Sequence, residues 1–324
     1  MSRTGFAILG AGALGSILGA HLVRAGHPVV MLARGRRAAG IAQQGLRIKG
    51  LVEIATPVEV LSDPTALRQA DVLIVATKAI GTAAALAPLR AADIGCALSI
   101  QNGVVKDELL AEIFGRGRVL GALANTSGEL LATGEVLFTR NVNIAIGELT
   151  GQMSERAARV SHSIDAAGVR SSAVVDIVRQ EWAKFVSWVP LAALAVLTRA
   201  DSWKYLSDPD AARVLVRLLR EAARLAQASG VSPGDESMMP VATLCRGTEA
   251  EALEIVMRMG ADFRENAPQH RMSILQDLEA GRPLEIEETL GHAVRLAAEH
   301  SLELPLLENA YRLVAAVGRI RRQD

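Results

Sequence analysis

The first half of the chain alternates short apolar runs with segments in which apolar residues recur every three or four positions. Runs such as Phe6–Leu9 and 71–76 are typical of buried strands, and the segments between them are typical of amphipathic helices. Gly26 is expected to end the first helix, and two runs joined through Gly50 predict a small hairpin. Strands that alternate with helices predict a doubly wound α/β domain. The other predicted strands cover residues 29–33, 96–100, 119–124, 135–138, 143–147 and 173–178.

Beyond about residue 178 the pattern changes to long helical segments. Turn-forming residues at 232–235 and 280–283 interrupt them. We therefore predict an α/β domain over residues 1–178 and an all-helical domain over residues 179–324. The predicted helices cover residues 180–198, 209–229, 248–263, 267–280 and 284–300.

Composition and charge narrow the classes of function. The 324 residues are 50% hydrophobic, which predicts a large core and two domains. A formal net charge of +0 argues against a nucleic-acid binder or a polybasic membrane protein. The 2 cysteines form no CxxC motif or His/Cys cluster, which argues against a disulfide framework and a metal site and fits a cytoplasmic protein. The longest apolar run, 186–197, is shorter than the ~20 residues of a membrane span.

A glycine motif follows the first strand directly and opens the first helix. In a dinucleotide-binding turn the first glycine permits the tight bend, the second lets the backbone approach a pyrophosphate, and the third allows close helix–strand packing. The helix start adds free N–H groups and a positive dipole end. An ordinary glycine-rich turn is the alternative, but the strand–turn–helix context favours a dinucleotide. The predicted cofactor contacts in this turn are Gly10, Ala11, Gly12, Ala13, Leu14 and Gly15.

The end of the second predicted strand indicates which dinucleotide is bound. NAD-binding domains usually place an acidic residue there to hold the ribose 2′-hydroxyl. This chain has Arg34, followed by Arg36 and Arg37. A guanidinium cannot accept a hydrogen bond but pairs well with a 2′-phosphate. NADP(H) is therefore the predicted cofactor, and a solvated basic loop is the alternative.

Five motifs stand out by their order and spacing, namely FAILGAGALG at 6–15, VATKA at 75–79, SIQNGV at 99–104, EWAKF at 181–185 and MSILQDLEAGRPLEIE at 272–287. With these motifs the chain resembles the ketopantoate reductases (2-dehydropantoate 2-reductases) over nearly its whole length. The resemblance implies an N-terminal Rossmann-type domain, a helical C-terminal domain and a site between them. It also implies NADPH-dependent reduction of a small 2-oxo acid to a 2-hydroxy acid, namely ketopantoate to pantoate in pantothenate biosynthesis.

The same resemblance assigns roles to individual residues. Lys184 matches the family's catalytic lysine, although a lone lysine near an apolar helix is more often a surface residue whose charge reaches solvent. Glu285 matches the glutamate that faces this lysine and binds substrate hydroxyl groups; the alternative is a dipole partner at the start of a helix. Ser273 matches a serine that helps to hold the substrate carboxylate. Asn102 is assigned to the cofactor and substrate region, and Lys78 to the nicotinamide end of the cofactor. A turn-forming Asn-Gly pair and a simple edge charge are the alternatives for these two.

The chain departs from the family pattern at three positions. Trp188 and Ala192 stand four and eight residues after the lysine, where asparagines are usual, and His270 replaces another substrate-side asparagine. Trp188 would make the substrate pocket more apolar. His270 has no second ligand at metal spacing, so it is interpreted as a plain polar residue rather than a metal ligand or general base.

Three functions follow from these observations. The first is a 2-oxo acid reductase that acts on ketopantoate. The second is a paralogue that reduces a less polar oxo acid or carbonyl compound, and the third is a non-catalytic NADP-binding regulator. The sequence leaves the oligomeric state open, with a homodimer as one alternative.

Overall fold

The computed structural model describes residues 4–321. The chain divides into two compact units, Met1–Val178 and Arg179–Asp324. The roles assigned to them from the sequence, cofactor binding in the first and substrate chemistry in the second, stay predictions.

Unit 1 contains one mixed sheet with helices between its strands. Its strands are β1 Phe6–Leu9, β2 Val29–Leu32, β3 Leu46–Gly50, β4 Ile54–Thr56, β5 Glu59–Leu61, β6 Gln69–Val75, β7 Asp93–Ser99, β8 Val119–Leu130, β9 Val136–Glu148 and β10 Ser171–Ala173. Its helices are α1 Ala13–Arg24, α2 Gly35–Gln44, α3 Thr82–Leu86, α4 Lys106–Phe114 and α5 Glu155–Ala166.

The predicted doubly wound sheet is confirmed. Six parallel strands follow the order β5-β2-β1-β6-β7-β8, and the sheet continues through antiparallel β9 to the hairpin of β3 and β4. All four side chains of β1 are buried because both faces of the sheet are covered. Phe6 and Ile8 belong to the core cluster shared with α1, whereas Ala7 and Leu9 belong to the cluster shared with α3 and α4.

One predicted strand of unit 1 is largely wrong. Residues 173–178 were expected to form it, but β10 ends at Ala173 and a helix begins at Ile177. Val174 and Ile177 pack in one small cluster, whereas the residues between them, Val175 and Asp176, are exposed. The N–H of Val174 still donates to the carbonyl oxygen of Ile146 in β9, and the helix begins three residues later. The run of β-branched residues, which suits a strand, concealed this change.

Unit 2 contains helices and no strand over its described residues. The amphipathic helix predicted at 209–229 is α8, and it packs against α7, α9, α10, α12 and α13. The helices are α6 Ile177–Thr198, whose first two residues belong to unit 1, α7 Ser202–Ser207, α8 Pro209–Ala228, α9 Val241–Arg246, α10 Glu249–Asn266, α11 Ser273–Glu279, α12 Leu290–Glu299 and α13 Pro305–Ile320.

Two helices predicted in unit 2 begin later than expected. The segment 267–272 is not helical, because Pro268 disfavours a helical conformation at Ala267, which has a φ of −150°. The segment 284–289 is also not helical. Leu284 and Ile286 both lie against Gly318 of α13. Residues two positions apart point to the same side of an extended segment but to nearly opposite sides of a helix.

Helix α6 meets the length and composition of a membrane-spanning helix. Its most apolar window has a mean hydropathy of 1.2, and 83% of that window is buried within the structure. Such burial is typical of the core helix of a domain.

Candidate functional site

The glycine turn after β1 has the geometry of a dinucleotide-binding turn. Gly10 has a φ of +107°, and a Cβ atom there would lie 2.7 Å from the backbone nitrogen of Thr77. A Cβ atom on Gly15 would overlap the carbonyl oxygen of Gly10. The structure of unit 1 itself therefore requires the first and third glycines.

Gly12 differs, because among residues 4–321 no side chain or backbone atom fills the space beside it. A Cβ atom there would have only the carbonyl oxygen of Ala76 nearby, at 4.0 Å. Gly12 is the N-cap of α1, which has no side-chain cap and no acidic residue in its first turn. Its N–H groups and positive dipole end are thus available to an anion. Ala11 is buried, while Ala13 and Leu14, which begin α1, are half-buried.

These features fit a pyrophosphate at this turn. A dinucleotide-binding turn has a glycine at this position so that its backbone can approach the pyrophosphate, and the open space beside Gly12 fits that geometry.

Arg34 lies at the N-cap of α2, just after β2, and its side chain is exposed. Its guanidinium makes no hydrogen bond or ion pair with another residue of the described range 4–321, and only its backbone carbonyl is paired, with the N–H of Ala38. Arg36 is exposed as well. Arg37 points inward instead and donates to the glycine turn.

Lys78 and Asn102 follow the carboxyl ends of β6 and β7. Lys78 is exposed and Asn102 is half-buried. Because β2, β1, β6 and β7 are consecutive neighbours in the sheet, their carboxyl ends meet at one edge. Unit 1 therefore brings Arg34, the glycine turn, Lys78 and Asn102 to the same edge, as expected for ligand binding in α/β sheets.

Gln101, which the sequence interpretation did not single out, joins two of these loops. Its Nε2 atom lies 3.0 Å from Thr77 Oγ1, 3.0 Å from the carbonyl oxygen of Lys78 and 2.8 Å from Thr82 Oγ1. Its Oε1 accepts from Ser99 Oγ at 3.0 Å. The side chain is buried, so these bonds hold the loop of Lys78 against the loop of Asn102. Its position before an Asn-Gly pair at a strand end was the only signal in the sequence.

In unit 2, Lys184 lies in α6 and is half-buried. The rings of Trp182 and Phe185, on either side of it in the sequence, make an edge-to-face contact at 5.8 Å. Trp188 is buried and Ala192 is fully buried, and both share a helical face with Lys184. This face is therefore apolar beyond the lysine.

The other predicted substrate residues lie in α11 and the segment before α12. Ser273 is the first residue of α11 and is exposed. Glu285 is buried, and its carbonyl oxygen accepts a hydrogen bond from Thr289 Oγ1. Because Glu285 precedes α12 by several residues, its interpretation as a dipole partner at a helix start is wrong. Joint action of these residues with Lys184 stays a prediction.

His270 belongs to a hydrogen-bonded group in unit 2. Its Nδ1 lies 2.9 Å from Ser202 Oγ, which accepts from the hydroxyl of Tyr205 at 2.9 Å. Burial raises the pKa of Tyr205 to about 12, so this phenol stays protonated and acts as a donor.

The remaining reactive side chains give no support to other chemistry. Among residues 4–321 no group of three His, Cys, Asp or Glu residues is arranged to hold a metal ion. Burial raises the pKa of Cys96 to about 11 and also raises the pKa of Cys245. Both thiols are therefore poor nucleophiles at neutral pH.

Comparison with known proteins agrees with this arrangement. Residues 6–151 match the family model described as ketopantoate reductase PanE/ApbA, and residues 176–318 match the model of its C-terminal part. The chain belongs to the ketopantoate reductase family. It is thus an oxidoreductase from a family of NAD(P)-dependent enzymes that act on CH–OH groups. A 2-dehydropantoate 2-reductase of Archaeoglobus fulgidus is 31% identical over 310 residues, 96% of each chain.

Solved structures of ketopantoate reductases have the same architecture. The 2-dehydropantoate 2-reductase of Geobacter metallireducens GS-15 is 26% identical, with a TM-score of 0.81 over 96% of this chain and 99% of that one. A D-mandelate dehydrogenase, solved as a ternary structure with NADH and anilino(oxo)acetate, has a TM-score of 0.84 over 98% of this chain and 99% of that one. At 17% identity, that second likeness concerns the fold alone.

Proposed function

We propose that this protein reduces a 2-oxo acid to the 2-hydroxy acid with NADPH, and that ketopantoate, converted to pantoate for pantothenate biosynthesis, is its substrate. The observation that carries the proposal is the open backbone of Gly12 at the same sheet edge as the exposed Arg34. The first feature fits a pyrophosphate, and the second fits a 2′-phosphate. The relatives named 2-dehydropantoate 2-reductase support the choice of substrate.

The reaction requires a hydride at the carbonyl carbon and a proton at the carbonyl oxygen. Bound NADPH supplies the hydride. The ammonium group of Lys184 polarises the carbonyl and donates the proton as negative charge develops on the oxygen. The half-buried position of Lys184 strengthens this interaction, because electrostatic attraction increases as water is excluded.

The remaining residues bind and orient. Glu285 accepts hydrogen bonds from substrate hydroxyl groups, and Ser273 donates to the substrate carboxylate. Asn102 and Lys78 hold the nicotinamide end of the cofactor at the sheet edge. Trp188 forms an apolar wall of the substrate pocket.

The test is the oxidation of NADPH, followed at 340 nm, with ketopantoate and a panel of other 2-oxo acids. We expect turnover with at least one of them, and a Lys184→Met variant with a much lower kcat and unchanged NADPH affinity. Absence of turnover with every compound would instead favour the non-catalytic NADP-binding regulator, which the family assignment already argues against.

A specific observation favours a second candidate, a paralogue that prefers a less polar oxo acid. The helical face beyond Lys184 presents buried Trp188 and Ala192 where amide groups are usual in the family. A site that lacks those amides cannot pair buried hydroxyl groups of a polar substrate, and each loss costs about 1–3 kcal/mol. The two candidates differ in kcat/KM for ketopantoate against aromatic 2-oxo acids. The double variant Trp188→Asn, Ala192→Asn should shift that ratio toward ketopantoate if the second candidate is right.

A cytoplasmic location and a homodimeric state stay predictions. Light scattering after size-exclusion chromatography measures the second directly.

A further inference from the structure

Arg37, the third residue of α2, has a different environment from Arg34 and Arg36. Its Nε donates to the carbonyl oxygen of Ala11 at 2.8 Å, and its Nη2 donates to Ser16 Oγ at 2.8 Å. Its Nη1 donates to the carbonyl oxygen of Gly134 at 2.6 Å. All three nitrogens of the guanidinium are therefore engaged with unit 1, and the side chain is half-buried.

The contact with Ala11 fixes the orientation of one peptide group in the glycine turn. In a trans peptide the C=O of one residue and the N–H of the next point in opposite directions, and the described chain has no cis peptide. The carbonyl of Ala11 is held by Arg37 and also accepts from Ser16 Oγ at 3.2 Å. The N–H of Gly12 must then point away from Arg37, on the opposite side of the peptide group.

The third contact links the turn to a distant part of unit 1. Gly134 lies in the turn between β8 and β9, and its N–H donates to the carbonyl oxygen of Leu131 at 2.9 Å. The rigid, planar guanidinium of Arg37 thus connects this hairpin turn to the glycine turn, and this connection limits rotation of the Ala11–Gly12 peptide group.

We propose that Arg37 is a positioning residue for the cofactor: it orients the N–H of Gly12 toward the dinucleotide pyrophosphate and does not read the 2′-phosphate. The inference rests on the proposed cofactor role of this turn. The pyrophosphate is common to NADPH and NADH, so loss of Arg37 weakens the binding of both cofactors by the same factor. Loss of Arg34 weakens NADPH selectively.

The experiment measures dissociation constants of NADPH and NADH by calorimetry for the wild type and four variants. We expect Arg37→Met to raise the dissociation constants of both cofactors by the same factor, about tenfold or more, as for the loss of a charge-assisted hydrogen bond. Arg37→Lys retains the charge but offers one nitrogen in place of three, so it should not restore the affinity. Ser16→Ala removes one acceptor of Arg37 and should weaken both cofactors equally but less. Arg34→Met should weaken NADPH at least tenfold more than NADH.

Each other outcome overturns the inference. A selective loss of NADPH in Arg37→Met assigns this residue to the 2′-phosphate, and restored affinity in Arg37→Lys assigns it a purely electrostatic role. Unchanged affinities with a lower Tm assign it to stability alone. If Arg37→Met does not fold, Ser16→Ala decides, because its effect on the two cofactors must still be equal. Failure of the proposed function is distinguishable: a turn without a cofactor role gives a wild type that binds neither cofactor, and a protein without reductase activity gives a wild type that binds NADPH but oxidises none with any 2-oxo acid.

Discussion

The sharpest test of the cofactor site is the substitution of alanine for Gly12, with Gly15→Ala as its matched control. Both changes add one methyl group to the same turn. At Gly12 the added Cβ has only the carbonyl oxygen of Ala76 nearby, at 4.0 Å, whereas at Gly15 it overlaps the carbonyl oxygen of Gly10. Gly12 also has a φ of −71°, which any residue adopts.

The expected magnitudes follow from these distances. Gly12→Ala should change the free energy of unfolding by no more than about 0.5 kcal/mol, because it introduces neither a clash nor backbone strain. Gly15→Ala should destabilise unit 1 by roughly 1–3 kcal/mol, since helix α1 has to move away from β1. If a pyrophosphate lies against Gly12, the methyl group displaces it. Loss of one charge-assisted hydrogen bond, about 1.5–3 kcal/mol, weakens NADPH binding by roughly 10- to 100-fold.

The assay pairs urea unfolding, followed by circular dichroism, with calorimetric titration of NADPH. Gly12→Ala should retain its stability and lose its affinity. A Gly12→Ala protein that binds NADPH as tightly as the wild type would show that no ligand approaches this turn. A strongly destabilised Gly12→Ala protein would show instead that the space beside Gly12 is filled, contrary to the structure.

Three further predictions concern other parts of the chain. Lys184→Met should lower kcat by about 10²–10⁴-fold, the usual contribution of a general acid, while the Kd of NADPH stays unchanged in the same titration. Gln101→Glu should weaken cofactor binding and destabilise unit 1 by roughly 1–3 kcal/mol in urea unfolding. The reason is that the new buried carboxylate would face the carbonyl oxygen of Lys78 and could not donate a hydrogen bond to it. Burial lowers the pKa of His21, whose Nδ1 lies 2.9 Å from the carbonyl oxygen of Ala167 and whose Nε2 has no hydrogen-bond partner in the described structure. The unfolded chain therefore binds a proton at His21 more readily than the folded protein does. The free energy of unfolding should be highest above pH 6.5, the ordinary histidine pKa, and should fall as the pH decreases below that value. In His21→Phe this fall should be less steep.

Each of these predictions has an internal control. An NADPH affinity that falls together with kcat in Lys184→Met would contradict a role confined to proton transfer. Gln69→Glu, an exposed position of the same residue type, should leave both stability and binding unchanged. His162→Phe removes an exposed histidine and should retain the pH dependence of the wild type. Burial also lowers the pKa of His292, so some pH dependence should remain in His21→Phe.

The local pattern of the sequence was sufficient to predict the sheet and the glycine turn. Apolar runs such as Phe6–Leu9 form strands buried on both faces, and Gly10 and Gly15 are required by contacts with nearby backbone. These features depend on short-range periodicity and on the conformational freedom of glycine, both of which can be read directly from residue types.

The local pattern failed where burial depends on contacts distant in sequence. The non-helical conformation of residues 284–289 cannot be foreseen from a helical period, and neither can the end of strand β10 at Ala173. Both errors occurred where apolar residues suit more than one element, and tertiary packing selects between the alternatives.

The sequence by itself determined which residue types stand at the glycine turn and in the helical unit, and these residue types were sufficient to identify the family. Only the tertiary structure decided what neighbouring residues of one type do. Nothing in the local sequence distinguishes Arg34 from Arg37, which are three residues apart. The side chain of Arg34 nevertheless faces solvent, while that of Arg37 hydrogen-bonds Ala11 and Gly134, 26 and 97 residues away. The physical reason is that a side chain's hydrogen-bond partners are set by which strands become neighbours, and that pairing is a property of the whole sheet.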